Sequence, residues 1–413
     1  MAEPRVAVLR DRSTVMLFAA VFASTMATLC QATALGKQVY DLTGRELDLG
    51  LLGLAEFAPA ALLVTVTGHV ADKYDRRRVV AAGLLGELVC GILLAIYAAS
   101  NPTSVKPIFA LVIGFGVARA FTAPAIRSLP ADVSTPATFP KVVAINATMW
   151  QGAIITGPVL AGFLYAVDPS WAFVATAILL GVAVMAVAGV VPATRRVHIP
   201  STETGLRQAF EGLRVIRSNP ILLGAISLDL FAVLFGGAVA LLPAIAEKQL
   251  HVGAIGLGWL RAAAGIGAAL TSVALAARPL SRRVGPTLFT VVAIFGAFTI
   301  VLGVTHSYAL AFVALAVLSG ADAVSVFIRA TLVPLATPPS LRGRVLAVEN
   351  VFIGGSNELG AFESGVAGQA LGISGAVVLG GAATLAIAAM WARMFPALRR
   401  VDRFDDIDRA EPP

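Results

Sequence analysis

Charged residues are scarce in this sequence of 413 residues, and their scarcity excludes an ordinary soluble protein. Asp, Glu, Lys and Arg make up 13% of the chain, whereas soluble domains carry about 25%. Hydrophobic residues make up 58%, and the mean hydropathy is +0.85. The composition therefore predicts an integral membrane protein.

Cysteine and histidine are also sparse, with two and four residues. Cys30 and Cys90 both fall inside long apolar runs, so they do not form a disulfide framework. The histidines are dispersed without metal-ligand spacing, and no nucleotide-binding or hydrolase motif is present.

Asp72 and Asp75 form a DxxD pair, which also occurs in membrane prenyltransferases, but no second acidic loop accompanies it. The sequence predicts no enzyme, no catalytic residue, no cofactor and no metal site.

Long apolar runs dominate what is present. A membrane-crossing helix needs about 20 mostly apolar residues, and the runs are too long for the strands of a membrane barrel. The first run follows MAEPRVAVLRDR without a cleavage site, which indicates a first span and not a removed signal peptide. Twelve spans are predicted, at residues 14–40, 49–70, 79–99, 108–129, 141–166, 171–192, 220–246, 255–277, 287–304, 308–333, 344–371 and 374–395.

Basic residues show which way the chain faces. The net charge is +7, but the basic residues are scattered without interleaved aromatics, so nucleic acid is not predicted as a partner. The segments that connect the predicted spans alternate between the two sides of the membrane. Most Lys and Arg residues outside the spans fall on one side, and only Arg45, Lys106 and Lys248 lie on the other. By the positive-inside rule, both termini are predicted to be cytoplasmic.

The chain also divides into two similar halves. The predicted organisation is a cytoplasmic N-terminal tail (1–13), a six-helix bundle (14–192), a cytoplasmic linker (193–219), a second six-helix bundle (220–395) and a cytoplasmic C-terminal tail (396–413). The linker contains a predicted amphipathic helix in GLRQAFEGLRVIRSNP. An offset of 206 residues places Arg76-Arg77 on Arg282-Arg283, as expected for parallel repeats in a transporter.

The stretch GHVADKYDRRRVV, residues 68–80, contains GxxxD followed by KxxRRR. It resembles the signature loop of the major facilitator superfamily, and the acid at Asp75 in place of the usual glycine is similar to the branch of enterobactin and drug exporters. A generic basic loop is the alternative. The resemblance implies an all-α membrane protein with twelve transmembrane helices in two pseudo-symmetric bundles. It also implies a conformational latch formed by Gly68, Asp72, Lys73, Arg76, Arg77 and Arg78.

A second similarity to the superfamily lies in GPVLAG, within the fifth span. In that superfamily a related pattern accompanies antiport, although small residues also occur in ordinary packed helices. The predicted helix-packing or antiport motif consists of Gly152, Gly157, Pro158 and Gly162.

Ionisable residues inside the spans are the candidate functional groups, because a charge at the bilayer centre costs about 2.5–3.5 kcal/mol. The resemblance implies that spans one, four, seven and ten line a cavity. Proton coupling is predicted for Asp229, Glu358, Asp322 and Arg119. Substrate contact is predicted for Gln31, Gln38, Arg119, Asp229, Phe231, Phe235, Asp322, Arg329 and Asn357. Structural pairing of an acid with Arg119, Arg261 or Arg329 is the alternative.

The resemblance implies a proton-coupled transporter of the bacterial inner membrane, working by alternating access. Export of a siderophore or an amphipathic drug-like compound is the first hypothesis, and import or flipping of a lipid or small solute is the alternative. A sensor is disfavoured because no long soluble segment is present. The expected partners are a small-molecule substrate, protons and membrane lipid, and the expected state is a monomer.

Overall fold

The computed structural model describes residues 11–191 and 205–407, without the side chains at 64, 65, 68, 69, 71, 72 and 205–209. All regular secondary structure in these ranges is helical. The first series of helices comprises α1 (Arg12–Thr43), α2 (Glu46–Lys73), α3 (Arg76–Ala99), α4 (Lys106–Asp132), α5 (Phe139–Val167) and α6 (Pro169–Gly189).

The second series begins with a helix in the linker, at Gly205–Ser218, which confirms the helix predicted there. Its helices are α7 (Gly205–Ser218), α8 (Pro220–Phe235), α9 (Ala254–Ala277), α10 (Val284–Val304), α11 (Tyr308–Leu335), α12 (Arg342–Met394) and α13 (Pro396–Arg400). The linker helix packs on α12, where the Glu211 carboxylate pairs with the Arg344 guanidinium.

The prediction of twelve crossing helices is confirmed. Ten helical segments of the described chain are long and apolar enough to cross a membrane. One of them, α12, spans 53 residues and breaks at Gly372, whose φ of 74° suits glycine, so it supplies two crossings. The 28-residue helix α2 adds another, with a length of about 42 Å at 1.5 Å per residue.

The seventh span is less regular than the continuous helix predicted over 220–246. The α-helix ends at Phe235, and a 3-10 turn, a short α-helical turn and a π-helical turn continue to Gln249. Gly236 and Gly237 directly follow the end of the α-helix at Phe235. Helix α12 lies so close here that a β-carbon on Gly237 would be 2.5 Å from the carbonyl oxygen of Gly360. The span itself agrees with the prediction, since Pro220–Gln249 is one candidate membrane span. Its interruption was not predicted, because the close approach of α12 depends on tertiary packing, which the spacing of apolar residues in the sequence does not reveal.

The described residues form two compact units. The first unit consists of the described residues within three ranges, Met1–Gly44, Leu52–Ser201 and Val252–Ala262. The second unit consists of the described residues within Arg45–Leu51, Thr202–His251 and Ala263–Pro413. Each unit therefore includes a short segment from the other half of the sequence. In the first unit, α1 packs against α5 and α6, and α3 packs against α4 and α6. In the second unit, α12 packs against α8 and α10, and α10 packs against α11.

Close contacts between small residues hold the short exchanged segments. In the first unit, a β-carbon on Gly258 would lie 2.5 Å from the carbonyl oxygen of Pro158. In the second unit, a β-carbon on Gly50 would lie 3.0 Å from the Phe362 α-carbon. An ion pair also holds this segment, since the Lys248 ammonium lies 2.9 Å from the Glu46 carboxylate. Helices in membranes associate through such close packing because lipid provides no hydrophobic driving force between them.

The C-terminal segment caps the first turn of α10. Arg283, at the N-cap, has a φ of 57° and makes no side-chain cap. The backbone N–H of Val284 donates to the Asp402 carbonyl at 3.2 Å, and that of Gly285 donates to the Val401 carbonyl at 2.9 Å. The open donors at the start of a helix need such partners. Residues far apart in the sequence thus complete one helix end.

We expect Asp402→Ala to release this cap. The backbone N–H of Arg283 donates to the Asp402 carboxylate at 3.0 Å, and this bond, with the nearby Arg282 guanidinium, holds the pKa of Asp402 below its usual value. Because the folded pKa lies below the unfolded one, this stabilisation is present above the unfolded pKa and is lost as the pH falls through the folded value.

The measurement is hydrogen exchange of the amides at the start of α10, which should accelerate in Asp402→Ala at neutral pH and in the wild type at low pH. Asp405→Ala is the matched control, since its carboxylate is 80% exposed. Equal protection in the two variants would contradict the cap.

Candidate functional site

The second unit contains a buried ionic cluster formed by three helices. Asp229 on α8, Arg329 on α11 and Glu349 on α12 have side chains that are only 7%, 5% and 8% exposed. The Arg329 Nη2 lies 2.7 Å from the Asp229 Oδ1, and the Arg329 Nη1 lies 3.7 Å from the Glu349 Oε1. Asp229 is therefore paired with Arg329 in this structure. Such pairing is compatible with both the predicted role in proton coupling and the alternative of a structural ion pair.

Apolar packing around this cluster excludes bulk water. Ile226, Leu228 and Ala232 of α8, Ile328 and Leu332 of α11, and Val345 and Val348 of α12 belong to one buried apolar core. In such surroundings, a carboxylate without a counter-charge is strongly disfavoured. Arg329 is therefore the group on which the ionised state of its neighbours depends.

A small cavity adjoins one side of the cluster. It has a volume of about 10 Å³ and is lined by Asp229 and Asp322, with Ser325 on α11 and the apolar Val291 and Phe295 on α10. This volume is close to the minimum that holds one water molecule, and the two carboxyl groups provide polar partners for it. Asp322 makes no ion pair with Arg329 within 4.0 Å, as the seven-residue separation on one helix predicts.

The first unit has a more open charged pair. The Arg119 Nε lies 3.9 Å from the Glu56 Oε1, with side chains 41% and 29% exposed, and the Arg119 Nη1 donates to the Thr28 hydroxyl at 2.6 Å. The pair depends on Gly116, because a β-carbon there would lie 2.3 Å from the Glu56 carbonyl oxygen. Arg119 thus has counter-charge, a fixed position and access from outside the packed core.

Two further ionisable residues of the first unit, Glu87 and Arg261, were not chosen from the sequence as site residues, although Arg261 was named as a possible structural partner of an acid. Glu87 is 1% exposed, and its Oε1 has no hydrogen-bond partner. Arg261 lies in the exchanged segment, where its Nη1 donates to the Thr33 hydroxyl at 3.5 Å and its Nε has no partner. An ionisable residue within an apolar run is the sequence signal that finds such groups.

The remaining predicted site residues differ in exposure. Gln31 and Gln38 are buried, and the Gln31 Oε1 has no hydrogen-bond partner. Phe231 packs on Trp391, with ring centroids 5.3 Å apart, and Phe235 also packs against the second unit's core. Asn357 is exposed and its amide donates to the Ile353 carbonyl at 2.8 Å, whereas Glu358 is half-buried.

The predicted latch residues make contacts within the first unit. The Arg76 Nη1 lies 3.3 Å from the Asp132 Oδ1, and Arg77 donates to the Ala188 carbonyl at the end of α6. Lys73 lies over the Tyr74 ring at 5.8 Å, and Arg78 is exposed.

Two members of the latch, Gly68 and Asp72, lie in α2, but their side-chain environment is outside the described residues. Asp75, which departs from the superfamily's glycine, is the N-cap of α3 and accepts from the backbone N–H groups of Arg77 and Arg78. Its acid is therefore explained by local helix capping.

The four residues of the predicted packing motif lie at close contacts of α5. A β-carbon on Gly157 would lie 2.9 Å from the Met26 carbonyl oxygen, and one on Gly162 would lie 2.6 Å from that of Ala254. Pro158 is buried beside Gly258, and a β-carbon on Gly152 would touch the Phe22 ring at 3.5 Å. These contacts account for the small residues by packing alone, and the antiport role stays a prediction.

The fold and the sequence decide the family. Residues 17–361 match the model of the Major Facilitator Superfamily. The chain belongs to this superfamily. It is therefore a multi-pass membrane transporter, and the family implies a small-molecule substrate.

Among its relatives are enterobactin exporters. The chain is 26% identical over 337 residues to the enterobactin exporter EntS of Escherichia coli O1:K1 / APEC, covering 80% of this chain and 79% of the relative. It is 26% identical over 383 residues to the EntS of Citrobacter koseri, covering 88% and 89%.

Solved structures of other transporters share the fold. A bacterial homologue of the human lysosomal transporter Spinster, in an inward-facing and unoccupied conformation, matches with a TM-score of 0.70 at 15% identity, covering 98% of this chain and 100% of that one. A POT family transporter in complex with 5-aminolevulinic acid matches with a TM-score of 0.74 at 10% identity, covering 94% and 96%.

Removing Arg329 should destabilise the second unit, because two carboxyl groups would lose their counter-charge. We expect Arg329→Met to cost about 3–5 kcal/mol, the usual effect of breaking a buried ion pair. Adding Asp229→Leu and Glu349→Leu should restore most of the loss, since apolar side chains can replace a buried ionic group.

The thermal unfolding of the purified protein measures both effects. Arg344→Met is the control, because its pair with Glu211 is about one-third exposed. A triple variant no more stable than Arg329→Met would contradict the assignment of the loss to unpaired charge.

Proposed function

We propose that this protein is a proton-coupled exporter of a siderophore or a similar amphipathic compound, working by alternating access. The buried cluster of Asp229, Arg329 and Glu349 is the observation that carries the proposal. Buried ionisable groups in membrane proteins commonly mark proton paths, which supports proton coupling.

The physical basis of coupling is the cost of burying an uncompensated charge. A carboxyl group that faces Arg329 favours its ionised form, whereas the same group away from the guanidinium favours its protonated form. A conformational change that alters this pairing changes proton affinity, which links proton binding to the transport cycle. Asp229 stays our first choice among the predicted carriers, followed by Glu358 and Asp322.

Substrate recognition is proposed to involve Arg119. Its guanidinium is 41% exposed and is oriented by Glu56 and Thr28, so it can donate hydrogen bonds to an acidic or phenolic oxygen of a ligand. The similarity to enterobactin exporters supports a siderophore as the compound to test first. The other predicted substrate contacts, including Gln31 and Asn357, stay predictions.

The loop around residues 68–78 is proposed to act on the conformational cycle and not on the substrate. Arg76 and Arg77 contact the ends of α4 and α6, which supports this role. Because their guanidinium groups are bound to other protein groups, they are less available to bind a substrate. Antiport, a monomeric state and the bacterial inner membrane belong to the same proposal. So do two cytoplasmic termini, which the distribution of Lys and Arg supports.

Transport in inside-out vesicles tests function and direction together. With an acidic lumen, we expect vesicles containing the protein to accumulate enterobactin. Asp229→Asn should lose this accumulation and keep downhill flux, and Arg119→Ala should raise the KM for enterobactin. Arg127→Ala, which removes an exposed arginine of the same helix, is the control for Arg119.

The alternative hypotheses give different results in the same assay. Accumulation only in right-side-out vesicles, driven by an inward proton gradient, would identify an importer. Movement of a labelled lipid between leaflets, without any response to enterobactin, would identify a flippase.

Asp72→Asn should slow the interchange between conformations while leaving substrate affinity nearly unchanged, because the latch does not contact substrate. The measurement is the rate of substrate-driven change in a distance label, compared with the Kd from equilibrium binding. An equal loss of affinity would contradict the latch assignment.

A further inference from the structure

Arg329 has two carboxylate partners on different helices and is closer to one of them. Its Nη2 lies within hydrogen-bond distance of Asp229, at 2.7 Å, whereas its Nη1 lies 3.7 Å from Glu349, beyond a hydrogen bond. Its Nε has no hydrogen-bond partner. The guanidinium carries five N–H donors in a planar fork, so a small side-chain rotation would strengthen one pairing and weaken the other.

The charges around Arg329 do not balance if every acid is ionised. Asp229, Asp322 and Glu349 would contribute three negative charges against one guanidinium. An apolar core strongly disfavours uncompensated charge, so a neutral cluster requires a proton on two of these carboxyl groups. Asp322 makes no ion pair with Arg329 and is the first of the two. Of the two acids that do pair with Arg329, Glu349 is the more distant, at 3.7 Å against 2.7 Å for Asp229, and is therefore the second.

Among the described residues, Arg329 is the one cation that forms an ion pair with Asp229 or Glu349. The linker helix and α13 also pack on α8, but their arginines Arg214, Arg217, Arg399 and Arg400 are exposed. On the cavity side, α10 contributes only apolar side chains, among them Val291 and Phe295. From the linker helix, Glu211 pairs with Arg344 at the start of α12. That arginine is therefore already engaged, about 7.5 Å along the helix axis from Glu349 at 1.5 Å per residue.

The position of Glu349 along its helix also suits proton release. It lies seven residues into α12, about 10 Å from the helix start, whereas Asp229 lies nine residues into α8, about 14 Å from its start. Both helix starts follow connections that are predicted to be cytoplasmic. Glu349 is thus about 10 Å from the start of its helix, and Asp229, unlike Glu349, lines the cavity shared with Asp322.

We propose that Glu349 holds the exchangeable proton in this structure and that Arg329 alternates between Asp229 and Glu349. When the Glu349 carboxyl group gives its proton to water, Arg329 moves to the new carboxylate. Asp229 then loses its partner and takes one proton from water in the cavity. One proton leaves and one enters, so the charge of the cluster is the same before and after the exchange.

This inference rests on the proposed proton coupling and adds a carrier that the sequence did not single out. A static ionic cluster is the competing explanation. It would hold Glu349 ionised throughout, whereas the exchange requires a neutral Glu349 in the resting protein. Infrared difference spectroscopy distinguishes the two, because a protonated carboxyl group has a carbonyl stretch that a carboxylate lacks.

The experiment uses the purified full-length protein in lipid nanodiscs and needs no substrate. Raising the pH should drive only the first half of the exchange, the loss of the Glu349 proton, without proton uptake by Asp229. It should therefore remove a protonated-carboxyl band, and labelling glutamate side chains with ¹³C should shift that band, whereas labelling aspartate should not. The measurement is made in a Glu87→Gln background, because Glu87 is a second buried glutamate and its Oε1 has no hydrogen-bond partner. In this background, Glu349→Gln should lose the band. Glu46→Gln, which removes a buried glutamate paired with Lys248, should keep it. A band that survives in Glu349→Gln, or that shifts only with labelled aspartate, would overturn the proposal.

A fluorescence titration gives a second measurement on the same variants. Trp391 packs on Phe231, and its indole N–H donates to the Ser227 hydroxyl on α8 at 2.9 Å, two residues before Asp229. Replacing the other three tryptophans by phenylalanine leaves Trp391 as the reporter. Its pH-dependent change should disappear in Glu349→Gln, and an unchanged titration would contradict the movement of Arg329.

Vesicle transport separates a failure of this inference from a failure of the proposed function. If wild-type protein accumulates no substrate in response to a proton gradient, proton coupling itself is wrong. If wild type accumulates substrate and Glu349→Gln does so equally well, coupling stands and Glu349 is not the carrier. We expect Glu349→Gln to lose gradient-driven accumulation and to keep downhill flux.

Discussion

The second unit is organised around a single guanidinium in an apolar core. Arg329 contacts Asp229 and Glu349, so it connects α11 to both α8 and α12. A buried ionic contact fixes their register, and it also makes the register sensitive to protonation. The same interaction can therefore hold the unit together and respond to protons.

Much of the fold could be predicted from the sequence, because membrane spans are set by the length of an apolar run. Even the interruption near Gly372 coincides with the boundary between the last two predicted spans. The site was less predictable. Asp229 and Arg329 stood out as charges within apolar runs, but their pairing with Glu349 requires three helices to converge. Local sequence also does not reveal that Asp75 caps α3, since capping depends on where the helix begins.

Small residues determine how closely the helices approach. At Gly157, Gly162 and Gly258, a β-carbon would collide with backbone atoms of a neighbouring helix. At Gly116 the same close approach brings Glu56 and Arg119 together. Packing and electrostatics are thus linked, because a larger side chain at Gly116 would separate the two charges without altering either of them.

The cap that Val401 and Asp402 provide for α10 has a consequence for biosynthesis. The ribosome completes α10 long before it reaches the residues that satisfy the first backbone donors of that helix. Until then, these N–H groups must be hydrated at the membrane surface or left without partners. Final closure of the second unit therefore waits until residues 401 and 402 have been synthesised, and a nascent chain stalled before residue 401 would insert its helices with α10 still frayed at its start.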